Sequence, residues 1–151
     1  GLSLAKAVLE YALTRRGILT LGTGMAAGFV KTRPDLEDAD VQFFFMHASY
    51  ADAAKRILDK KPGMTIGVTQ LRPESVGSIH IRSANPDDPP LIAPNFLCAP
   101  ADLITMRRGM QIARQIVGQP ALAPYVAHEM NPGPDCKSDA DWDDFTRRTG
   151  R

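Results

Sequence analysis

The sequence predicts an α+β domain in which an antiparallel sheet of about five strands carries helices packed on one face. Three observations predict it. Apolar and polar residues alternate from Met64 to Thr69 and again from Ile79 to Arg82; helical spacing of apolar residues runs through Ser3–Arg16 and Pro100–Val117. The strand-like segments also lie together between the helices instead of alternating with them.

Taken in order, Ser3 is placed to cap a first helix reaching Arg16, with Leu4, Ala7, Val8 and Tyr11 on one face and Gly17 stopping it. Gly22-Thr23-Gly24-Met25-Ala26-Ala27 satisfies the Gly-x-Gly-x-x-Ala spacing of a dinucleotide loop. Phe29 to Thr32 is β-like, however, and Pro34 follows too soon for the helix such a loop must open, so a glycine-rich lead into a strand is the better account. Val41 to His47 is an aromatic strand in which Phe43, Phe44 and Phe45 cover both faces. Between Ala48 and Lys61 the spacing allows a short helix capped by Ser49, with Ala53, Ala54, Ile57 and Leu58 inward. Met64–Thr69 and Ile79–Arg82 then pair as a hairpin around the turn Arg72–Gly77, where Gly77 supplies positive φ. Leu91-Ile92 adds a short edge strand inside a proline-rich connection.

Pro100 suits the first position of the long helix, Asp102 its first turn, and Leu103, Met106, Met110, Ala113 and Val117 its inner face. Pro120 to Tyr125 reads as an irregular turn. Ser138 and Asp141 form a capping box for the last helix, which turns Trp142 and Phe145 inward.

The chain has 151 residues, 44% of them apolar, enough for one domain spanning residues 1–151 with its own core. Eighteen basic residues against seventeen acidic ones give a net charge of +1 without a basic stripe, which excludes nucleic-acid binding by electrostatics. No apolar run approaches the length of a membrane span. Cys98 and Cys136 have no Cys-x-x-Cys spacing, and His47, His80 and His128 no metal spacing, so no metal site is expected and the thiols are expected reduced in a cytoplasmic protein. Starting without Met and stopping at Gly150-Arg151, the chain reads as an excised piece.

Leu71-Arg72-Pro73-Glu74-Ser75-Val76-Gly77-Ser78-Ile79-His80-Ile81, followed by Asn85-Pro86-Asp87-Asp88-Pro89-Pro90-Leu91-Ile92-Ala93-Pro94-Asn95-Phe96-Leu97, closely resembles the substrate-binding domain of the glucose–methanol–choline oxidoreductases. Pro100-Ala101-Asp102-Leu103, the helix from Arg107 with Gln119-Pro120-Ala121-Leu122, and Asn131-Pro132-Gly133 before an acidic helix ending in Phe145 keep the family's order. The resemblance implies an FAD-dependent alcohol oxidase or dehydrogenase as parent, in which one sheet face roofs the substrate cavity above the flavin. It also implies that the catalytic histidine and the FAD phosphate loop lie outside this sequence. No catalytic or cofactor-binding residue is therefore expected here, no FAD should bind to these residues alone, and they should be inactive by themselves.

The same resemblance places Met25, Phe45, His47, Gln70 and Arg72 at the cavity. Met25 falls where choline-oxidising relatives carry a glutamate, and a thioether lacks the charge that offsets a quaternary ammonium, which argues against choline. His47 either lines the cavity or is a satisfied rim group. Arg72 either orients a hydroxylated or anionic substrate or pairs with Glu74. The small-molecule alcohol would be the parent's partner, with peripheral membrane association of the parent left open. A bare sheet face also predicts association of two copies, and the competing class is a free-standing α+β binding domain that uses that face as a partner surface.

Overall fold

The computed structural model describes residues 2–22, 24–52 and 55–150. Among them the order is α1 (Leu2–Thr14), a 3₁₀ turn, β1 (Gly24–Val30), β2 (Val41–Met46), β3 (Tyr50–Asp52), β4 (Ile57–Leu58), β5 (Thr65–Gln70), β6 (Ser78–His80), β7 (Leu91–Ala93), α2 (Pro100–Val117), a second 3₁₀ turn and α3 (Asp139–Thr149). The α+β class with antiparallel pairing agrees with the sequence. The strands divide among three sheets, in the orders β1-β2-β5, β3-β4 and β6-β7. Asp40 N–H donates to Val30 O and Leu71 N–H to Asp40 O, which sets the ends of β1 and β5 against the start of β2, the antiparallel arrangement.

The chain falls into two compact units, one of residues 1–28 and 43–67, the other of residues 29–42 and 68–151. In the first, α1 is shorter than expected and Ser3 lies inside it rather than capping it. Arg15 at φ 54° and Gly17 at φ 97° end it; the positive φ at Gly17 is the one a β-carbon would disfavour. Its expected packing face is open to solvent, with Leu4 60% and Val8 50% exposed. The glycine stretch leads into β1, as the sequence predicted, although Thr23 lies outside the described residues.

The helix expected between Ala48 and Lys61 is instead the β3–β4 hairpin, with Tyr50 opposite Leu58 and Asp52 opposite Ile57. Two local interactions favour the reversal over a helix. Asp52 Oδ1 accepts from Lys55 N–H, and Arg56 takes φ 55°, which a right-handed helix cannot include. Ile57 and Leu58 are exposed rather than inward, and Ser49 is buried against Gly63 rather than serving as a cap. Ala53 and Ala54 lie outside the described residues.

The second unit holds most of the buried residues: Val41, Leu103, Ala113, Cys136 and Trp142, with Asp102 and Thr146 among them. The hairpin expected between the fifth and sixth strands does not form. β5 joins β2, and β6 pairs β7 with Ser78 opposite Ala93, Ile79 opposite Ile92 and His80 opposite Leu91. Alternation marks a strand but not its partner, and the apolar residues of β6 are exposed while those of β5 are half-buried. Gly77 does not take positive φ; it is needed because a β-carbon there would collide with the carbonyl oxygens of Ala93 and Pro94.

Helix α2 lies against the sheet through Gly109, where a β-carbon would come 2.8 Å from Val68 Cγ1 and 3.3 Å from Val41 Cγ1. Alanine in a helix gains about 1 kcal/mol over glycine, but forcing a methyl into this contact costs about 1–3 kcal/mol. Gly109→Ala is therefore expected to be net destabilising in urea unfolding, and Gly109→Val more so. Leu103 and Ala113 are buried as predicted, whereas Met106, Met110 and Val117 are only partly covered.

Helix α3 begins with the predicted capping box: Ser138 Oγ accepts from Asp141 N–H at 3.2 Å and Asp141 Oδ2 from Ser138 N–H at 2.7 Å. These bonds from Ser138, with a further one from Lys137 N–H, hold the Asp141 carboxyl below the ordinary carboxylate range.

Candidate functional site

Asp102 is the third residue of α2, and its side chain is 1% exposed. A carboxylate survives such burial only when its lone pairs are met by donors. Oδ1 accepts from Gln70 Nε2 at 2.9 Å and from Glu74 N–H at 2.8 Å, and Oδ2 from Ser75 N–H at 3.0 Å. Ser75 Oγ in turn accepts from Ala99 N–H at 2.9 Å, which meets one donor at the start of α2, where Ala99 has no side chain to cap it. Burial pushes the Asp102 pKa up, but the hydrogen bonds from Ser75, Glu74 and Gln70 outweigh it, and the net direction is below the ordinary aspartate value.

The carboxylate therefore grips the stretch from Gln70 to Ser75 at both ends. Arg72 lies between the anchors and is paired outward, its Nη2 2.7 Å from Asp38 Oδ2. This corrects the partner expected from sequence, Glu74. Both side chains of the pair are more than half exposed, so the bridge contributes at most about 1 kcal/mol. Gln70 and Arg72 thus share one short segment of the second unit.

Met25, on β1, Phe45, on β2, and His47, just past β2, belong to the first unit. Met25 and His47 are exposed and Phe45 is half-buried. His80 and His128 are exposed, in line with a surface role. The glycine stretch before β1 opens a strand and not a helix, so it lacks the helix N-terminus that a dinucleotide pyrophosphate needs. These residues do not fit an FAD phosphate site.

A shallow depression of about 380 Å³ in the second unit is lined by Ser75, Gly77, Ser78, Ile79, Ile92, Pro94 and Phe96. None of the five expected cavity residues lines it, though Ser75 connects it to the Asp102 cluster.

Arg114 is the second centre that sequence reasoning missed. Its Nε and Nη2 donate to Glu129 Oε1, Nη1 donates to Cys136 O at 2.8 Å and Nη2 to Gly133 O at 3.1 Å. The guanidinium also stacks over the Trp142 ring, 4.2 Å from its centroid. One side chain so joins α2, the loop after a cis Asn131–Pro132 bond, and α3. Arg114 sits in the last turn of α2, where a cation reads locally only as a complement to the helix dipole and nothing points to a distant tryptophan, whereas Asp102 at the third helical position did hint at a terminus role.

Cys136, held in this cluster, is buried, and burial pushes its thiol pKa up, with Asp141 and Glu129 adding to the rise and the Arg114 charge opposing it. Cys98 is exposed. A disulfide-exchange reagent should titrate Cys98 at once and Cys136 only as fast as the domain opens; both should react together in denaturant. Equal rates in the folded protein would contradict the burial.

Residues 73–151 match the family described as GMC oxidoreductase, in its C-terminal domain. An alcohol dehydrogenase (acceptor) from Pseudomonas putida is 37% identical over 132 residues, covering 87% of this chain and 24% of that protein. Mitochondrial choline dehydrogenase from Mus musculus is 35% identical over 120 residues, covering 80% of this chain and 20% of the enzyme. The chain thus spans a quarter or less of these relatives. The crystal structure of pyridoxine 4-oxidase from Mesorbium loti superposes with a TM-score of 0.69 at 21% identity, over 85% of this chain and 25% of that one, a likeness of fold. With more than half its length matched by the family's C-terminal region and relatives above 30% identity, the chain belongs to the GMC oxidoreductase family.

Proposed function

We propose that this chain is the substrate domain of an FAD-dependent oxidoreductase that acts on the CH–OH group of an alcohol, the hydride passing to flavin. The observation that carries the reading is the 37% identity, over 87% of the chain, to an enzyme named as an alcohol dehydrogenase. Met25, Phe45, His47, Gln70 and Arg72 are the residues assigned to the alcohol's side of the parent enzyme. Met25 offers no charge to a quaternary ammonium, so neutral alcohols are preferred over choline. FAD and the proton-accepting histidine are assigned to the rest of the parent polypeptide. Two free thiols fit a reducing compartment such as the cytoplasm, and no described helix is long and apolar enough to cross a membrane.

Two experiments test the reading. Mixed with FAD and an electron acceptor, residues 1–151 should develop neither flavin absorbance nor alcohol turnover. The full-length parent should oxidise members of a primary-alcohol panel. Tight stoichiometric flavin binding to residues 1–151 would overturn it.

A second reading, a domain that binds a partner or a second copy through an apolar face, is favoured by Ile79, Ile92 and Phe96, each more than 60% exposed. Gel filtration with and without mild detergent tests association through this face, which a bare face predicts under either reading; the genomic reading frame distinguishes them, a flavin motif upstream and a histidine-bearing segment downstream supporting the first.

A further inference from the structure

We infer that Asp102 is the positioning residue of the substrate side of this domain, fixing the Gln70 carboxamide and, through the Glu74 and Ser75 amides, the short segment that carries Arg72. The inference rests on the proposed function for its substrate class, an alcohol whose hydroxyl donates a hydrogen bond.

A carboxylate has no proton to donate, so the Gln70 amide must turn its NH₂ to Asp102, 2.9 Å away. The side-chain oxygen is thereby committed to the opposite direction as an acceptor. In a free glutamine the two ends interchange by rotation of the amide; here Asp102 selects one orientation. The backbone donors of Glu74 and Ser75, at 2.8 and 3.0 Å, pin the far end of the segment, so Arg72 projects from a stretch anchored on both sides. Asp102 is buried at 1% exposure and acts through Gln70 and the loop, not by touching substrate. This gives a hydroxyl-recognising group of fixed polarity on a segment held at both ends. Polar groups preset in this way gain rate because no reorientation is left for the reaction.

The test is single-turnover reduction of the full-length flavoprotein by 1-butanol without oxygen, read as flavin bleaching. The rate constant reports positioning and the amplitude reports the fraction folded. Asp102→Asn and Gln70→Ala should each slow bleaching about tenfold to a hundredfold, and the double variant should be no slower than the worse single one, because both remove the same oriented group. Trp142→Phe, a purely structural control, should lower amplitude alone. If Asp102→Asn does not fold, Asp102→Glu, which keeps the acceptor but moves it by one methylene, takes its place.

In residues 1–151, hydrogen exchange should show the Glu74 and Ser75 amides losing protection in the Asp102 variant. Unchanged rate constants with reduced amplitude, or amides that stay protected, would overturn the inference while leaving the alcohol reading intact. A wild-type parent that no alcohol reduces would remove the reading itself.

Discussion

Replacing Trp142 with alanine will lower the stability of the folded domain by about 3–5 kcal/mol, the range for truncating a buried tryptophan. Trp142 is 2% exposed, and its loss does more than open a cavity. The indole is the surface on which the Arg114 guanidinium lies, so truncation also exposes a cation whose other partners are the Glu129 carboxylate and the carbonyls of Gly133 and Cys136. At about 2–4 °C per kcal/mol for a chain of this size, the midpoint of thermal unfolding should fall by roughly 6–20 °C. Arg114→Lys should recover little of an Arg114→Ala loss, since an ammonium cannot stack flat on the ring while reaching two carbonyls and a carboxylate. A midpoint within a degree or two of wild type for Trp142→Ala would show that the α2–α3 contact is not part of the core.

Asp102→Ala is expected to cost about 2–4 kcal/mol, because it leaves part-buried donors on Glu74, Ser75 and Gln70 without their acceptor, each a penalty of about 1–3 kcal/mol when fully buried and less where solvent can reach the donor. Asp102→Asn should be nearly as damaging: an amide has one acceptor oxygen, and its NH₂ would face an N–H. The pH dependence has a definite sign. Asp102 has its pKa depressed in the folded state, so its contribution is complete above the unfolded value of about 4 and is lost as pH falls through the lower, folded value. Wild-type stability should therefore decline as the solution is acidified below about pH 4, and Asp102→Ala should decline less over the same interval. Urea midpoints from pH 6 down to pH 2 measure this; parallel curves for the two proteins would show that Asp102 does not carry the effect.

How far the molecule was legible differs from one element to the next. Helix α2 was readable end to end because Pro100 and Gly118 punctuate it and apolar residues recur at helical spacing between them. The capping box of α3 was readable because both of its partners sit three residues apart. The β3–β4 segment misled, since a few apolar residues spaced three and four apart fit a helix as well as a tight hairpin, and the turn was decided by Asp52 and a positive φ at Arg56. Of the expected cavity residues, the sequence located Gln70 and Arg72 on one segment but not the carboxylate that holds that segment in place.

Sequence by itself determined where α2 and α3 begin, that the glycine stretch leads into a strand, and the family to which the chain belongs. These follow from spacing within a few residues, where backbone sterics and capping are local. Only the tertiary structure decided that β6 takes β7 as its partner, that Arg72 turns to Asp38, and that Asp102 and Arg114 each gather a polar cluster in the second unit. Those pairings bridge 11 to 34 residues, and which donor meets which buried acceptor is settled by what the packed chain brings within 3 Å.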